Sequence, residues 1–288
     1  MKVSIVMSCY NAENTIEKAI QSVLNNTYKN IELIIIDDCS TDNSLKIISK
    51  QRDSRIKVIK HKRNLGAGVS RKDGIKVATG DYIGFCDSDD ILLEKHIENL
   101  VNAAVENDAD IATSGYTIIE GNTGESKEER KADKLYILEG DNKYTKLKAD
   151  ILRFLNPSIV RKSLWKKVSY STRRYVEDSP TLIKLLWYAN KRIIIPDSTY
   201  MYYQWENSLT HHKSPFKASI YEMLCYKDTY EFFAKTLNKP EYTPHNLMVI
   251  KLANYLGNLP TEKDKTQFAT EIKEMKQFIL EYYEKTFE

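Results

Sequence analysis

The sequence predicts an α/β fold: a Rossmann-like, doubly wound, mostly parallel sheet followed by a C-terminal helical appendage. Three observations predict it. From Val3 to Ile119, short apolar runs alternate with helical patterns. Ile31–Ile36 is largely β-branched and apolar on both faces, as suits a central strand covered by helices on either side. Beyond Ser214 the pattern becomes helical, rich in Lys, Glu and Tyr, and is punctuated by Pro240, Pro244 and Pro260.

The elements follow in order. Val3–Ser8 reads as a buried strand. Ile16, Ala19, Ile20, Val23 and Leu24 recur at helical spacing and form one apolar face. Ile31–Ile36 is the second strand, and Ser40-Thr41-Asp42 can cap the helix that carries Leu45, Ile47 and Ile48. Ile56–Ile59 is the third strand, Gly66–Ala78 a helix and Tyr82–Cys86 the fourth strand. A helix over Leu93–Asn107 and a strand over Ile111–Ile119 come next. This alternation implies right-handed crossovers. The charged segment Gly121–Asp133 reads as a solvated loop, and Tyr136–Leu138 as a short strand. Helices are expected over Asp141–Phe154 and Ser179–Ala189, and Arg192–Ile195 with Tyr200–Tyr203 as a closing pair of strands. The boundary is placed after residue 213, giving domains 1–213 and 214–288.

Bulk properties narrow the function. The 288 residues carry a net charge of +3, so there is no basic excess for nucleic-acid binding. Cys9, Cys39, Cys86 and Cys225 are scattered without a CxxC spacing, which suggests neither a zinc site nor a disulfide framework. No signal peptide and no apolar stretch near ~20 residues is visible, which leads us to expect a cytoplasmic protein that could still sit at the inner face of a membrane.

Chemistry concentrates at the strand ends. In an open parallel sheet, ligands bind beyond the carboxyl ends of the strands. The first strand delivers Ser8, Cys9, Tyr10 and Asn11; the second delivers Asp37 and Asp38; the fourth delivers Asp87, Ser88, Asp89 and Asp90. Carboxylates converging from separate strands repel unless a cation or hydrogen-bond donors offset them. A divalent ion with hard oxygen ligands, Mn²⁺ or Mg²⁺, suits that arrangement. Asp87 and Asp89 alternate along extended chain and can converge on it, whereas Asp90 reads as a cap of the next helix.

Five ordered pieces then resemble the family 2 glycosyltransferases, enzymes of GT-A fold. They are Val3-Ser-Ile-Val-Met-Ser-Cys-Tyr-Asn11, Ile36-Asp-Asp-Cys-Ser-Thr-Asp42, Asn64-Leu-Gly-Ala-Gly-Val-Ser-Arg71, Gly80-Asp-Tyr-Ile-Gly-Phe-Cys-Asp-Ser-Asp-Asp90 and Glu177-Asp178. The resemblance spans roughly residues 1–212 and leaves the tail outside. It implies an inverting transfer of sugar from a nucleotide-sugar, most simply a UDP-sugar, to a saccharide or lipid-linked glycan acceptor in surface polysaccharide assembly.

Residue by residue, the resemblance implies that Tyr10 packs on the base and Asp38 accepts from a uracil N–H. Asp37 meets the ribose or orders the site, and Arg71 reaches the donor phosphates. Asp87 meets the ribose or a metal-bound water, and Asp89 ligates the metal. Ser8, Asn11 and Ser88 line the same nucleotide-sugar pocket. Asp178 is the general base, with Glu177 the alternative. Two departures stand out. Ser8-Cys9 replaces the usual proline before Tyr-Asn, and Tyr203 and Trp205 stand where arginines are expected. His211 or His212 could replace the missing phosphate contact or ligate the metal, unless both are surface histidines.

Other readings fit the sequence less well. Gly66-Ala-Gly68 opens a helix as dinucleotide-binding turns do, but the third glycine is missing and the turn follows the third strand rather than the first. A nucleotidyltransferase would carry a Gly-rich, basic signature after the first strand, and none is present. A transferase-like binding or assembly protein without activity is a third reading, opposed by the intact Asp87, Asp89 and Asp178. In the tail, Phe268, Ile272, Met275, Phe278, Ile279 and Tyr282 share one helical face. That face fits packing within the protein, a homodimer contact, or a peripheral membrane contact; Lys273 and Lys276 alternate with Glu271 and Glu274, which disfavours the last.

Overall fold

The computed structural model describes residues 1–140, 154–173, 177–205, 215–239, 255, 257–258 and 260–287. The chain divides into two compact units, Met1–Glu206 and Asn207–Glu288.

The first unit begins with the alternation that the sequence predicts: β1 Val3–Cys9, α1 Ile16–Leu24, β2 Ile31–Asp37, α2 Ser44–Lys50, β3 Ile56–Lys60, α3 Ala67–Val77 and β4 Tyr82–Phe85. These four strands are parallel, in the order β3-β2-β1-β4, with Cys9 opposite Asp37 in register. The strand order reverses between β1 and β4, the place where such sheets open a crevice. Every residue of β2 is buried, which explains its continuous apolar run. Each fully buried Ile or Leu there contributes roughly 1.5–3 kcal/mol. Helices cover both faces. Ile16, Ala19, Ile20 and Val23 of α1 pack with Ile5, Leu33 and Ile35 on one side. On the other, Gly74 of α3 lies so close that an added Cβ would meet the Val6 side chain at 2.4 Å.

The sheet then continues through β5 Ile91–Leu92, α4 His96–Glu106, β6 Ile111–Glu120, β7 Ser126–Arg130, β8 Tyr136–Glu139, β9 Ser158–Arg161, α5 Asp178–Tyr188 and β10 Lys191–Gln204. β9 inserts antiparallel between β4 and β6, and β10 runs parallel to β6. The short strands β5 and β9 have no counterpart in the sequence reading.

Two expectations are corrected. Gly121–Asp133 is not simply a solvated loop: Ser126–Arg130 pairs antiparallel with β6 as a projecting hairpin arm. Its side chains are charged because they face water while its backbone is paired, and they form ion pairs such as Lys127 with Glu120 and Arg130 with Glu128. The closing pair of strands is one fourteen-residue strand, β10. The exposed Pro196-Asp197 break is absorbed by register shifts between Ile194 and Tyr200 rather than by a turn. The helix expected over Asp141–Phe154 lies, but for Phe154, outside the described residues.

The second unit holds α6 Pro215–Tyr230, which continues as a π-helical turn over Glu231–Thr236, then α7 Glu262–Gln267 and α8 Ala269–Phe287. Thr261 and Asp264 form a capping box at α7. The apolar face of α8 meets α6 within this unit: Phe268 packs edge-on to Tyr221, and Phe278 lies against Tyr226 and Tyr230. Among the described residues no helix is long and apolar enough to cross a membrane, and all four cysteines are free thiols.

Candidate active site

The ends of β1 and β2 are tied together by short polar links. Asn11 takes a positive φ of 50°, and its Oδ1 accepts from the Thr41 backbone N–H at 2.8 Å. Cys39 is also left-handed, with φ 65°. Beside this tie, the Tyr10 ring is 49% exposed, an open flat surface at the mouth of the crevice. Asp37 is buried, and its Oδ1 has no hydrogen-bond partner.

Asp38 is buried and fully engaged. Its Oδ1 meets His61 Nδ1 at 2.7 Å and accepts from the Leu65 N–H at 2.9 Å, while Oδ2 accepts from Gly66 N–H at 2.7 Å. In this arrangement the carboxylate fixes the turn leading into α3. That turn needs Gly66, at φ 90°, and Gly68, where a Cβ would stand 2.3 Å from the Ser171 carbonyl oxygen.

Arg71 on α3 is the hub of the site. It is buried, with Nη2 2.5 Å from Asp87 Oδ1, Nη1 2.5 Å from Glu177 Oε1 and Nη1 3.5 Å from Asp178 Oδ1. Its guanidinium lies over the Tyr170 ring, 5.7 Å from the centroid. One cation thus joins the acidic end of β4 to the start of α5, two motifs ninety residues apart in the chain. The phosphate contact expected of Arg71 has to share the guanidinium with these carboxylates.

The turn after β4 is held by a second network. Asp87 Oδ2 accepts from Asn156 Nδ2 at 2.8 Å, and the Asp87 N–H donates to Tyr200 Oη at 3.3 Å. Tyr200 in turn donates to Asp90 Oδ2 at 2.5 Å, and Asp90 Oδ1 accepts from the Tyr203 N–H at 2.9 Å. Asp90 is therefore not a helix cap. The next helix starts six residues later at His96, and the Asp90 carboxylate anchors the acidic turn to β10. Ser8 and Ser88 are half-buried along the same strand ends.

At the start of α5, Tyr170 Oη donates to Asp178 Oδ1. Burial raises the Asp178 carboxyl above its ordinary range, against the pull of Arg71 and the Tyr170 hydroxyl. Burial likewise lifts Glu177 to about 7; Arg71 opposes this and Asp178 adds to it. Tyr170 is itself wedged by Phe85 at 5.4 Å and by a stacked Trp165 at 6.0 Å between centroids. The base candidate thus rests on an aromatic support that reaches back to β4.

Whether these residues suit a divalent cation depends on Asp89. Burial, and then the Asp87 charge, push its carboxyl up to about 7, and among the described residues only its own backbone N–H donates to it. An acid short of donors in an acidic crevice fits a hard cation. No group of three or more His, Cys, Asp or Glu side chains that could hold a metal occurs among the described residues. Both Asp87 oxygens already hold Arg71 and Asn156, so Asp89 is the less engaged carboxylate of the two.

The family model described as "Glycosyl transferase family 2" matches residues 4–165, more than half of the chain. The chain belongs to glycosyl transferase family 2. The glycosyltransferase GlyG of Streptococcus pneumoniae is 29% identical over 246 residues, covering 82% of this chain and 79% of GlyG. WfaP of Escherichia coli, a UDP-Glc:alpha-D-GlcNAc-diphosphoundecaprenol beta-1,3-glucosyltransferase, is 46% identical over 100 residues, covering 35% of this chain and 40% of WfaP. The chain spans half or less of the length of several such relatives. The crystal structure of S. aureus TarS 1-349 in complex with UDP-GlcNAc superposes with a TM-score of 0.67 at 21% identity, covering 90% of this chain and 80% of that one. That likeness establishes the GT-A fold of the present glycosyltransferase.

In this glycosyltransferase the sequence-predicted Arg71, Asp87, Glu177 and Asp178 converge on one cluster, with Asp89 beside it. Tyr10, Asn11, Asp37 and Asp38 lie at the ends of the neighbouring β1 and β2. Tyr203 and Trp205, at the positions expected to be arginine, stack on each other at 6.2 Å, and Trp205 lies across Gly121. His211 and His212 lie outside the described residues. Sequence reasoning missed Asn156, Tyr170 and Tyr200. Only Asn156 carried a local signal, the Asn-Pro turn dipeptide.

Proposed function

We propose that this chain is an inverting glycosyltransferase that moves a sugar from a UDP-sugar to a hydroxyl of a lipid-linked glycan acceptor, in surface polysaccharide assembly. The observation that carries this reading is Arg71, which draws the acidic end of β4 and the Glu177-Asp178 pair into one cluster. The names of WfaP and of WfgD, both UDP-Glc:alpha-D-GlcNAc-diphosphoundecaprenol glucosyltransferases, support the donor and acceptor classes. The UDP-GlcNAc in the TarS complex supports the donor.

Asp178 is the general base. Glu177 is locked onto Arg71 at 2.5 Å, whereas Asp178 is 3.5 Å from the guanidinium and has its orientation set by Tyr170. Taking the acceptor proton as the hydroxyl attacks is worth about 10²–10⁴-fold. Tyr10 stacks on the base, while Asp37, with its unpartnered oxygen, and Asp38, through the turn it holds, shape the nucleoside end. Arg71 contributes positive charge where the diphosphate leaves. Asp89, with Asp87 as helper, would hold Mn²⁺ or Mg²⁺, which when bound supplies Lewis-acid stabilisation of the leaving diphosphate. The reading is tested by a panel of nucleotide-sugars in Mn²⁺ buffer, scored by thermal stabilisation and transfer. A UDP-sugar should stabilise the protein, and Asp89→Ala should remove the metal-dependent part. Equal responses to all nucleotides would overturn the UDP assignment.

A further inference from the structure

We propose that the outer margin of the first unit, from α2 through β3 to the turn before α3, docks on an anionic lipid bilayer. The observation is charge asymmetry. Residues 44–66 hold eight Lys and Arg against one acid, Asp53, a local net charge of +7, with Asp73 the next acid along the chain. The whole chain is only +3, so the remaining residues carry a net −4. β3 is the outermost strand of the sheet, so this stretch forms a border of the unit rather than a buried layer.

The acids here are already matched. Asp53 pairs with Arg55 at 2.7 Å, and Asp73 with Lys76 at 2.6 Å and His61 at 3.4 Å. Lys57 is taken by Glu32. Lys46, Lys50, Arg52, Lys60, Lys62 and Arg63 are exposed, and among the described residues none of them forms an ion pair. Between them two apolar side chains face water, Val58 at 41% and Leu65 at 36% exposure.

That mixture selects the partner. A surface built for single-stranded nucleic acid needs aromatic rings for base stacking, and residues 44–66 contain no Phe, Trp or Tyr. Cationic heads interleaved with aliphatic side chains suit a headgroup layer. The C-terminal helix α8 offers no such one-signed surface, since Glu271 and Glu274 alternate with Lys273 and Lys276. The inference rests on charge and exposure alone and stands apart from the donor and acceptor reading. Its consequence would be to hold the enzyme at the surface where a lipid-linked acceptor resides.

Each basic side chain at an anionic surface raises the partition coefficient roughly five-fold. The test is co-sedimentation of the full chain with phosphatidylcholine vesicles containing or lacking phosphatidylglycerol. The protein should bind the anionic vesicles, not the neutral ones, and should be released at 0.5 M NaCl, where screening shortens to about 4 Å. Lys46→Glu, Lys50→Glu, Lys62→Glu and Arg63→Glu combined should lower the partition coefficient at least ten-fold, with an unchanged melting curve as the folding control. The milder pair Lys62→Gln and Arg63→Gln should give an intermediate loss. No binding by wild type, wild-type binding by the charge-reversed variant, or loss caused instead by Lys273→Glu with Lys276→Glu would overturn the proposal. Retention on heparin without vesicle binding would overturn it as well.

Discussion

Two acids at the two ends of one sheet's strands are in opposite electrostatic states. Glu32, near the start of β2, is surrounded by donors: Ser4 Oγ at 2.6 Å, Thr79 N–H at 2.6 Å, Lys57 at 2.7 Å and Lys2 at 3.1 Å. Burial alone would raise it, but Lys57, Ser4 and Thr79 hold it well below the usual carboxylate range. Asp89, past the carboxyl end of β4, is pushed up to about 7 by desolvation and then by the charge of its neighbour Asp87. Nor is the contrast confined to one pair. At the amino ends of β6 and β10, Asp110 and Asp108 are matched by Arg161, and Glu139 by Lys191. At the carboxyl ends, Asp87, Glu177 and Asp178 share the single Arg71. Where acids serve the fold they are compensated, and where they are left short a ligand or a reaction is expected to complete them.

The largest effect should come from the base. Asp178→Asn should cut kcat by about 10³-fold or more while the donor Kd stays within about two-fold, measured by single-turnover transfer and calorimetry. Near-normal turnover would move the base to Glu177 or outside the cluster. Next comes the compensated acid. Glu32→Gln should destabilise by about 2–3 kcal/mol in chemical denaturation at pH 7.5, because it removes the buried charge to which the Ser4 hydroxyl and the Thr79 N–H donate and turns an amide NH₂ toward those donors. Its kcat should stay at the wild-type value, since the network lies at the opposite end of the strand from the crevice.

Tyr170→Phe should be milder, about ten-fold in kcat with the donor KM unchanged. Losing the donated hydrogen bond should raise the Asp178 carboxyl further, so the acid limb of the kcat profile should move to higher pH. The charges facing Asp178 from neighbouring elements are Arg71 on α3, Glu177 beside it and Asp87 after β4, and the variant retains all of them. An unmoved limb would make Tyr170 a packing residue only.

How legible this was in the sequence depended on locality. The alternation of β1 to α4 follows from periodicity within each segment, so those elements were read to within a few residues. β9 and β5 were missed because four and two residues carry no period, and their strand state comes from the neighbours they join. Arg71, Asp87 and Asp178 could be named through a resemblance, but that they share one ion-pair cluster depends on how α3 and α5 pack. Asn156, Tyr170 and Tyr200 support the acids from positions that look like ordinary turn, core and strand residues. Asp90 shows the same limit. Its sequence position beside a helix suggests a cap, and only the pairing of β5 with β10 brings Tyr200 and Tyr203 to it.

The smallest effect is the sharpest test of the contrast, because its sign is unusual. An acid raised in the folded state costs stability wherever it is ionised, so the cost is present above about pH 7 and is relieved as pH falls from there toward its unfolded value near 4. Asp89→Asn removes that cost. Without divalent metal it should stabilise the protein by about 1–2 kcal/mol at pH 8, less than the full shift implies because Asp89 is partly exposed. The difference should fade away as pH falls below about 4. Glu32→Gln should behave in the reverse way, losing stability at pH 8, with the loss shrinking as pH falls below about 4, where the unfolded chain takes up the proton that folded Glu32 still excludes. Mn²⁺ should stabilise wild type and leave Asp89→Asn unmoved, so the two curves approach each other as metal is added. If both variants lose stability at pH 8, Asp89 is a compensated structural acid like Glu32, and the separation between the two ends of the strands fails.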